Sequence, residues 1–366
     1  MKKIYIITRH AIANYGSLLQ SMATVNYFKS LGYESFIIDY ISKNENVLHN
    51  LNNYAINRNL HGIKKFAYVL LKIPEEYKKN YKFLKMRKKY LLMTNKYSSV
   101  DEMKNKFDNS ILCSGGDQLW GYMPNMKIDE AYYLSFSNKT NNLISFSSSF
   151  GRYDFDEYNC KIIKEKLSRY DAITVREKSA VEFLNQIGVK SNCVLDPTLL
   201  VDKNMYETIS EIRYIKKDYI LVYKLRQDQK LNELAKKIAD KYKLKIVFVS
   251  NTIFNNNKEG KTFINPQLSK LISLFKYSSF VITDSFHATV LSVIFEKEFY
   301  THLPGKTNAR IVDFVDSLEL NDRVFYDSCD FEKNKNINYY NVNSKLKVMR
   351  DKSNDIILNI LKKIND

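Results

Sequence analysis

IYIITRHAIANYGSLLQSMATVNYFKSLGYESFIIDY, residues 4–40, sets two short apolar runs on either side of a segment with a helical period. IYII (4–7) is an apolar run short enough for a strand, and RHAIANYG after it is a loop. Leu18, Leu19, Met22, Val25, Phe28 and Leu31 then recur at helical spacing, and Gly32 stands where a helix stops. YESFIIDY (33–40) is a second strand. A β–loop–α–β opening starts a parallel α/β sheet.

Outward from this opening the alternation resumes twice. Residues 43–108 interrupt it with Lys, Tyr and Asn in helical pieces, HGIKKFAYVLLKI and EEYKKNYKFLKMRKKYLL. They read as a helical insertion: an acceptor lid, a membrane-surface patch, or a solvated helical hairpin. Strands are expected at 109–114, 141–146, 171–175 and 191–195, with helices at 157–169 and 177–188. Residues 201–217 read as a linker. The pattern restarts with strands at 218–225, 244–250, 279–284 and 297–303 and helices at 228–242, 267–276 and 286–295. NTIFNNNKEG (251–260) is a polar loop, and the tail from Lys345 is a long amphipathic helix. The expected domains are 1–200 with the insertion, 216–335, and a helix over 340–366 free to cross back.

The bulk composition narrows the function classes. A chain of 366 residues with 45% hydrophobic content suits two cores. The net charge of +17 suits an anionic partner, or reflects the Lys, Asn, Ile and Tyr bias of an AT-rich genome. No basic block carries a nucleic-acid motif, so no nucleic-acid partner is expected. Cys113, Cys160, Cys193 and Cys329 are far apart without a CxxC pair, which argues against a zinc site or disulfide framework and fits a reducing cytoplasm. Thr8, Arg9 and His10 cut short the apolar run at the start, where a secretory leader needs about 7–15 apolar residues. No uncharged apolar stretch is long enough to span a bilayer.

The polar clusters fall at strand carboxyl ends, where open α/β sheets bind ligands. Asn14, Gly16 and Gln20 follow the first strand, and Gly115, Gly116, Asp117, Gln118 and Trp120 follow the 109–114 strand. Ser147, Ser148 and Ser149 follow the next; Arg176 and Asp196 follow two more. Asp284, Ser285 and His287 join the 279–284 strand to its helix. Each has a plain structural reading beside the functional one. The glycines bring backbone close to a ligand or make a tight turn. Trp120 stacks on a sugar or anchors the core. Asn14 and Ser285 cap helices. Arg176 grips a carboxylate or phosphate, or forms an ion pair. Lys224, Lys306 and Arg310 are weaker candidates of the same type, and Asn308 and Arg310 stand near a helix start, where an anion is also welcome. His287, in a first helical turn, is disfavoured as a cation by the helix dipole and favoured by a bound phosphate, so it is poised to exchange a proton.

At these residues the chain resembles the polysaccharide pyruvyl transferase family. N-x-G-x-x-x-Q (14–20), GGDQ-x-W (115–120), SFSSSFG (145–151), TVREKSA (174–180), VLDPTLL (194–200) and SFHAT (285–289) lie in order and, with their flanks, span most of the chain. The resemblance implies a GT-B-like α/β fold, with two Rossmann-like parallel-sheet domains facing across a cleft. It implies transfer of pyruvate from phosphoenolpyruvate to two hydroxyls of a sugar in a bacterial surface polysaccharide or its lipid-linked precursor, releasing phosphate. On that reading His287 is the acid or phosphate partner and Asp117 or Asp196 the base. Arg176, Ser285, Lys224, Asn308 and Arg310 join His287 at the phosphoenolpyruvate. Asn14, Gly16, Gln20, Gly115, Gly116, Asp117, Gln118, Trp120, Ser147, Ser148 and Ser149 face the acceptor. No metal or cofactor is expected, and the place of action is the cytoplasm, with contact to the anionic inner membrane face left open. The rival readings are a GT-B nucleotide-sugar glycosyltransferase and a non-catalytic glycan- or membrane-binding member.

Overall fold

Strands buried on both faces need apolar residues at successive positions, and KIYII and YILVY supply them. The computed structural model describes the chain except residues 1, 43–46, 58, 122–127, 152, 226–227, 252–258, 304–308, 327–330, 332–334 and 366. Its contacts divide into two units, one of residues 1–200 with 352–366 and one of residues 201–351.

The first unit opens with β1 (Lys3–Ile7), α1 (Tyr15–Ser30) and β2 (Glu34–Tyr40). Asn14 caps α1 by accepting a hydrogen bond from the Gly16 amide at 2.7 Å, and Gly32 ends it with φ +85°. Next come α2 (Val47–Asn57), α3 (Gly62–Tyr90), β3 (Met93–Tyr97), α4 (Val100–Met103) and β4 (Ile111–Ser114). β5 (Asn142–Ser145), α5 (Glu157–Leu167), β6 (Thr174–Val175), α6 (Lys178–Gln186), β7 (Asn192–Cys193) and α7 (Pro197–Leu200) complete the run. The sheet order is β3-β2-β1-β4-β5, all parallel. The short parallel pair β6-β7 continues it through bridges Ile144–Ala172 and Ser148–Val175. Ile7, Leu112, Trp120, Tyr132, Phe150 and Phe183 are fixed points of its core.

The expected insertion at 43–108 therefore contains an integral strand. MTNKY holds few apolar residues because β3 is a sheet edge, with no residue fully buried. The two expected helical pieces are one helix of 29 residues that continues through Pro74.

The second unit has α8 (Lys203–Ile209) inside the expected linker, then β8 (Tyr219–Tyr223), α9 (Gln229–Tyr242), β9 (Lys245–Ser250), β10 (Lys261–Ile264) and α10 (Leu268–Lys276). β11 (Phe280–Thr283), α11 (Phe286–Ile294), β12 (Glu298–His302), α12 (Ala309–Ser317), β13 (Val324–Phe325) and α13 (Tyr339–Asn365) follow. Its parallel sheet runs β10-β9-β8-β11-β12-β13. In both sheets the first strand of the unit lies beside the fourth, β1 on β4 and β8 on β11, so the strand order reverses there. That reversal opens the crevice at which doubly wound sheets hold ligands. The edge strands β10 and β13 escaped the sequence reading because they are short and half-buried. From Lys352 onward α13 belongs to the first unit.

Candidate functional site

In the first unit the motif residues gather at the β1/β4 reversal, yet most of their polar groups bond to other groups of the unit. Gln20 is buried; it accepts from Thr8 Oγ1 at 3.2 Å and donates to Thr24 Oγ1 at 3.0 Å. A Cβ on Gly116, whose φ is +147°, would collide with Thr8 Oγ1, and one on Gly115 would stand 2.6 Å from the Phe146 carbonyl oxygen. The close approach these glycines permit is to neighbouring chain. Trp120 is fully buried, donates from Nε1 to the Tyr132 carbonyl at 3.1 Å, and packs on Tyr133 and Phe150. Ser148 Oγ donates to the Ser114 carbonyl and Ser149 Oγ to Glu177. Gln20, Trp120, Ser148 and Ser149, expected at the acceptor, are thus buried and bonded to neighbouring protein groups. Asn14 and Gly16 form the helix cap described above.

Three residues of this cluster differ. Gln118 is exposed on a left-handed backbone with φ +50°. Ser147 also has positive φ, +52°, and its buried hydroxyl has no partner among the described protein groups. A strained residue with an unsatisfied polar group is a frequent mark of a working site. Asp117 keeps 28% of its side chain exposed.

Arg176 was expected to hold a ligand anion. It instead holds protein carboxylates: Nη2 donates to Asp117 Oδ1 at 2.8 Å and Nη1 to Asp196 Oδ2 at 2.5 Å, while Nε lies 3.7 Å from Glu177 Oε2. Burial opposes the charge of the guanidinium, but Asp117, Asp196 and Glu177 outweigh it and hold its pKa above the ordinary value. Arg176, expected at the phosphoenolpyruvate, is thus the centre of an ion cluster of one cation and three carboxylates. Asp196, a candidate base from the sequence, is 1% exposed, and its other oxygen accepts from the Thr198 amide and hydroxyl. Of the three carboxylates around Arg176, Asp117 is the one that reaches solvent.

The second unit places its polar residues at the β8/β11 reversal, where Tyr223 pairs with Thr283. Just beyond that pair, Asp284 Oδ1 accepts from the Leu225 amide at 2.7 Å and ties the two strand ends together. Lys224 is buried, donates to Asn232 Oδ1 at 3.0 Å, and lies 5.5 Å from the centre of the Phe248 ring. Burial lowers its pKa below the ordinary lysine value, opposed by Asp228 and Asp284. Ser285 sits at the N-cap of α11 but makes no side-chain cap bond, so its hydroxyl is not used by the helix. His287, 8% exposed, is the second residue of α11 and meets Phe286 edge-on. Arg310 stacks its guanidinium 6.0 Å from the Phe286 ring centre. Lys306 and Asn308 lie outside the described residues. A buried amine, an imidazole, a hydroxyl and a helix start at one reversal point can bind an anion and move a proton.

Supporting residues escaped the sequence reading. Asp228 caps α9 and contacts His302 while adding negative charge beside Lys224. Arg87, from α3, donates to the carbonyls of His10 and Ala11 and braces the loop after β1. His10 faces the Thr8 carbonyl and Asp39. Glu177 was legible as the acid beside Arg176 in the TVREKSA motif; Asp228 and Arg87 carried no local signal.

Comparison with known proteins agrees with this fold. A glycosyltransferase from Rickettsia africae ESF-5 superposes with a TM-score of 0.52 at 14% identity, covering 99% of both chains. A UDP-N-acetylglucosamine 2-epimerase from Rickettsia bellii superposes with a TM-score of 0.51 at 13% identity, covering 100% of this chain and 98% of that one. At such identities the likeness is one of fold, and the fold is α/β and GT-B-like. No curated protein matches the sequence. The polysaccharide pyruvyl transferase family model matches residues 14–301, from the Asn14 cap through the junction that bears His287, and the chain belongs to that family.

Proposed function

We propose that the chain moves pyruvate from phosphoenolpyruvate onto two hydroxyls of a sugar in a surface polysaccharide or its lipid-linked precursor, forming a ketal and releasing phosphate. The observation that supports this most is the convergence of Lys224, Ser285 and His287 at the β8/β11 reversal. Phosphoenolpyruvate brings carboxylate and phosphate together. The Lys224 ammonium and the start of α11 compensate that charge, with Arg310 as a further cation. His287, charged beside the phosphate, protonates the methylene carbon and makes the central carbon electrophilic. One sugar hydroxyl adds there, phosphate leaves, and the second hydroxyl closes the ketal. Of the two hydroxyl protons lost, one replaces the proton given to carbon and one leaves with phosphate. Asp117, Gln118 and Ser147 are the acceptor contacts in this reading, with Asp117 orienting or deprotonating a hydroxyl.

The test is His287→Gln, followed by phosphate release with a sugar acceptor and by calorimetric binding of phosphoenolpyruvate. Loss of a general acid lowers turnover by roughly 10²–10⁴-fold, with donor binding largely kept. Turnover near wild type would remove His287 from the mechanism. Tight binding of a UDP- or GDP-sugar, with none of phosphoenolpyruvate, would replace the reading with nucleotide-sugar transfer.

A further inference from the structure

Helix α3 turns its apolar side outward. Ile63, Phe66, Leu70, Pro74, Tyr77 and Tyr81 recur at intervals of three and four, which lines them along one face for about 27 Å. Ile63 is 87% exposed, Phe66 65% and Leu70 52%, and Leu71 beside them is 80% exposed. The opposite face supplies the buried residues Phe83, Met86 and Arg87. A surface helix ordinarily presents charge to water and packs its apolar stripe inward. Scattered exposed hydrophobics are common, but a continuous stripe marks an interaction surface.

The charge on the same helix identifies the partner. Residues 62–90 contain ten basic and two acidic side chains. Both acids are already engaged, Glu75 by Lys72 at 2.7 Å and Glu76 by Lys79 at 2.6 Å. Lys64, Lys78, Lys85, Lys88 and Lys89 are exposed. Lys85 reaches over the Tyr81 ring, 4.5 Å from its centre, an aromatic–lysine pairing suited to a headgroup boundary. A second copy of the chain seated on this stripe would set one strongly cationic helix against another. An anionic lipid surface satisfies the stripe and the lysines together. No described helix is long and apolar enough to cross a membrane.

We propose that α3 is a peripheral docking element that lies along an anionic lipid surface, its stripe at the headgroup–acyl boundary and its lysines among the phosphates. The inference is independent of the reaction proposed above. The test is flotation of the full chain with vesicles of phosphatidylcholine, alone or with roughly one-third phosphatidylglycerol. Binding is expected to the anionic vesicles and to fall steeply with salt. Ile63→Ser, Phe66→Ser and Leu70→Ser combined lower the partition by at least about tenfold. Lys64→Gln, Lys78→Gln and Lys85→Gln each lower it about fivefold. Circular dichroism melts of all four variants stay at the wild-type midpoint, because these side chains are exposed. Two results would overturn the proposal: anionic vesicles that fail to bind or bind the serine variant equally well, or a sedimenting dimer that the serine variant dissolves without any vesicle binding.

Discussion

Replacing Arg176 with Met keeps most of the side-chain volume and removes the charge that three carboxylates share. The arginine side chain is 3% exposed, as is Glu177, and Asp196 is 1% exposed. Deleting one partner of such a buried pair costs about 3–5 kcal/mol, because the remaining charge stays desolvated. The lower end applies here. Asp196 keeps the Thr198 amide and hydroxyl, Glu177 keeps Ser149 and Tyr153, and Asp117 reaches water. About 3 kcal/mol in a unit of this size lowers the melting midpoint by roughly 6–12 °C. The sign of the pH dependence is also fixed. In the variant, the buried carboxylates acquire folded pKa values above their unfolded ones. Their penalty is present at neutral pH, shrinks as pH falls through the folded values, and vanishes below the unfolded value near about 4. Urea unfolding from pH 5 to 8 therefore shows a gap between wild type and variant that is widest at the alkaline end. A gap under about 1 kcal/mol at pH 7, or one that stays flat across the range, would contradict the ion-cluster assignment.

Lys224→Met raises the Michaelis constant for phosphoenolpyruvate by roughly 10–100-fold, through loss of a charge-assisted contact, and steady-state phosphate release measures it. Because burial depresses the pKa of that amine, donor affinity in wild type is full while the amine is charged. It declines as pH rises toward values still below the ordinary lysine value of 10.5; calorimetry across pH 7–10 reads this, and the Met variant lacks the decline. Gly116→Ala meets both the collision with Thr8 and the left-handed φ, and destabilises by about 1–3 kcal/mol in a thermal melt. Trp120→Phe loses the bond to the Tyr132 carbonyl and part of the core volume, about 1–3 kcal/mol, while the Michaelis constant for the sugar acceptor stays at the wild-type value.

The two sheets were legible because their central strands are apolar on both faces and their helices carry a strong 3.6-residue period. IYII and SFVITD announced β1 and β11 directly. What escaped was the periphery. MTNKY and KTFI are edge strands, and half-exposed strands need no apolar run. Pro74 divided one helix into two readings. The position of each motif was legible too, since a polar cluster after an apolar run marks a strand end. The internal partners of individual motif residues were not. Gln20, Ser148, Ser149 and Arg176 look like ligand contacts in one dimension. Three-dimensional neighbours absorb them, since Thr8, Ser114, Glu177 and Asp196 are distant or silent in the sequence. Lys224 was named only weakly, because its environment comes from Asn232, Phe248 and Asp284 on three other elements.

The division of α13 bears on biogenesis. Ser353, Ile357 and Leu361 are buried, Ser353 accepts the Leu195 amide, and Tyr27 donates to Asn354. The amino-terminal unit thus completes its own packing with residues that the ribosome makes after the whole of 201–351. At about 5–20 residues per second, that delay is roughly 10–30 s. Throughout it the nascent chain exposes the groove that α13 will fill, a window in which chaperones have something to hold.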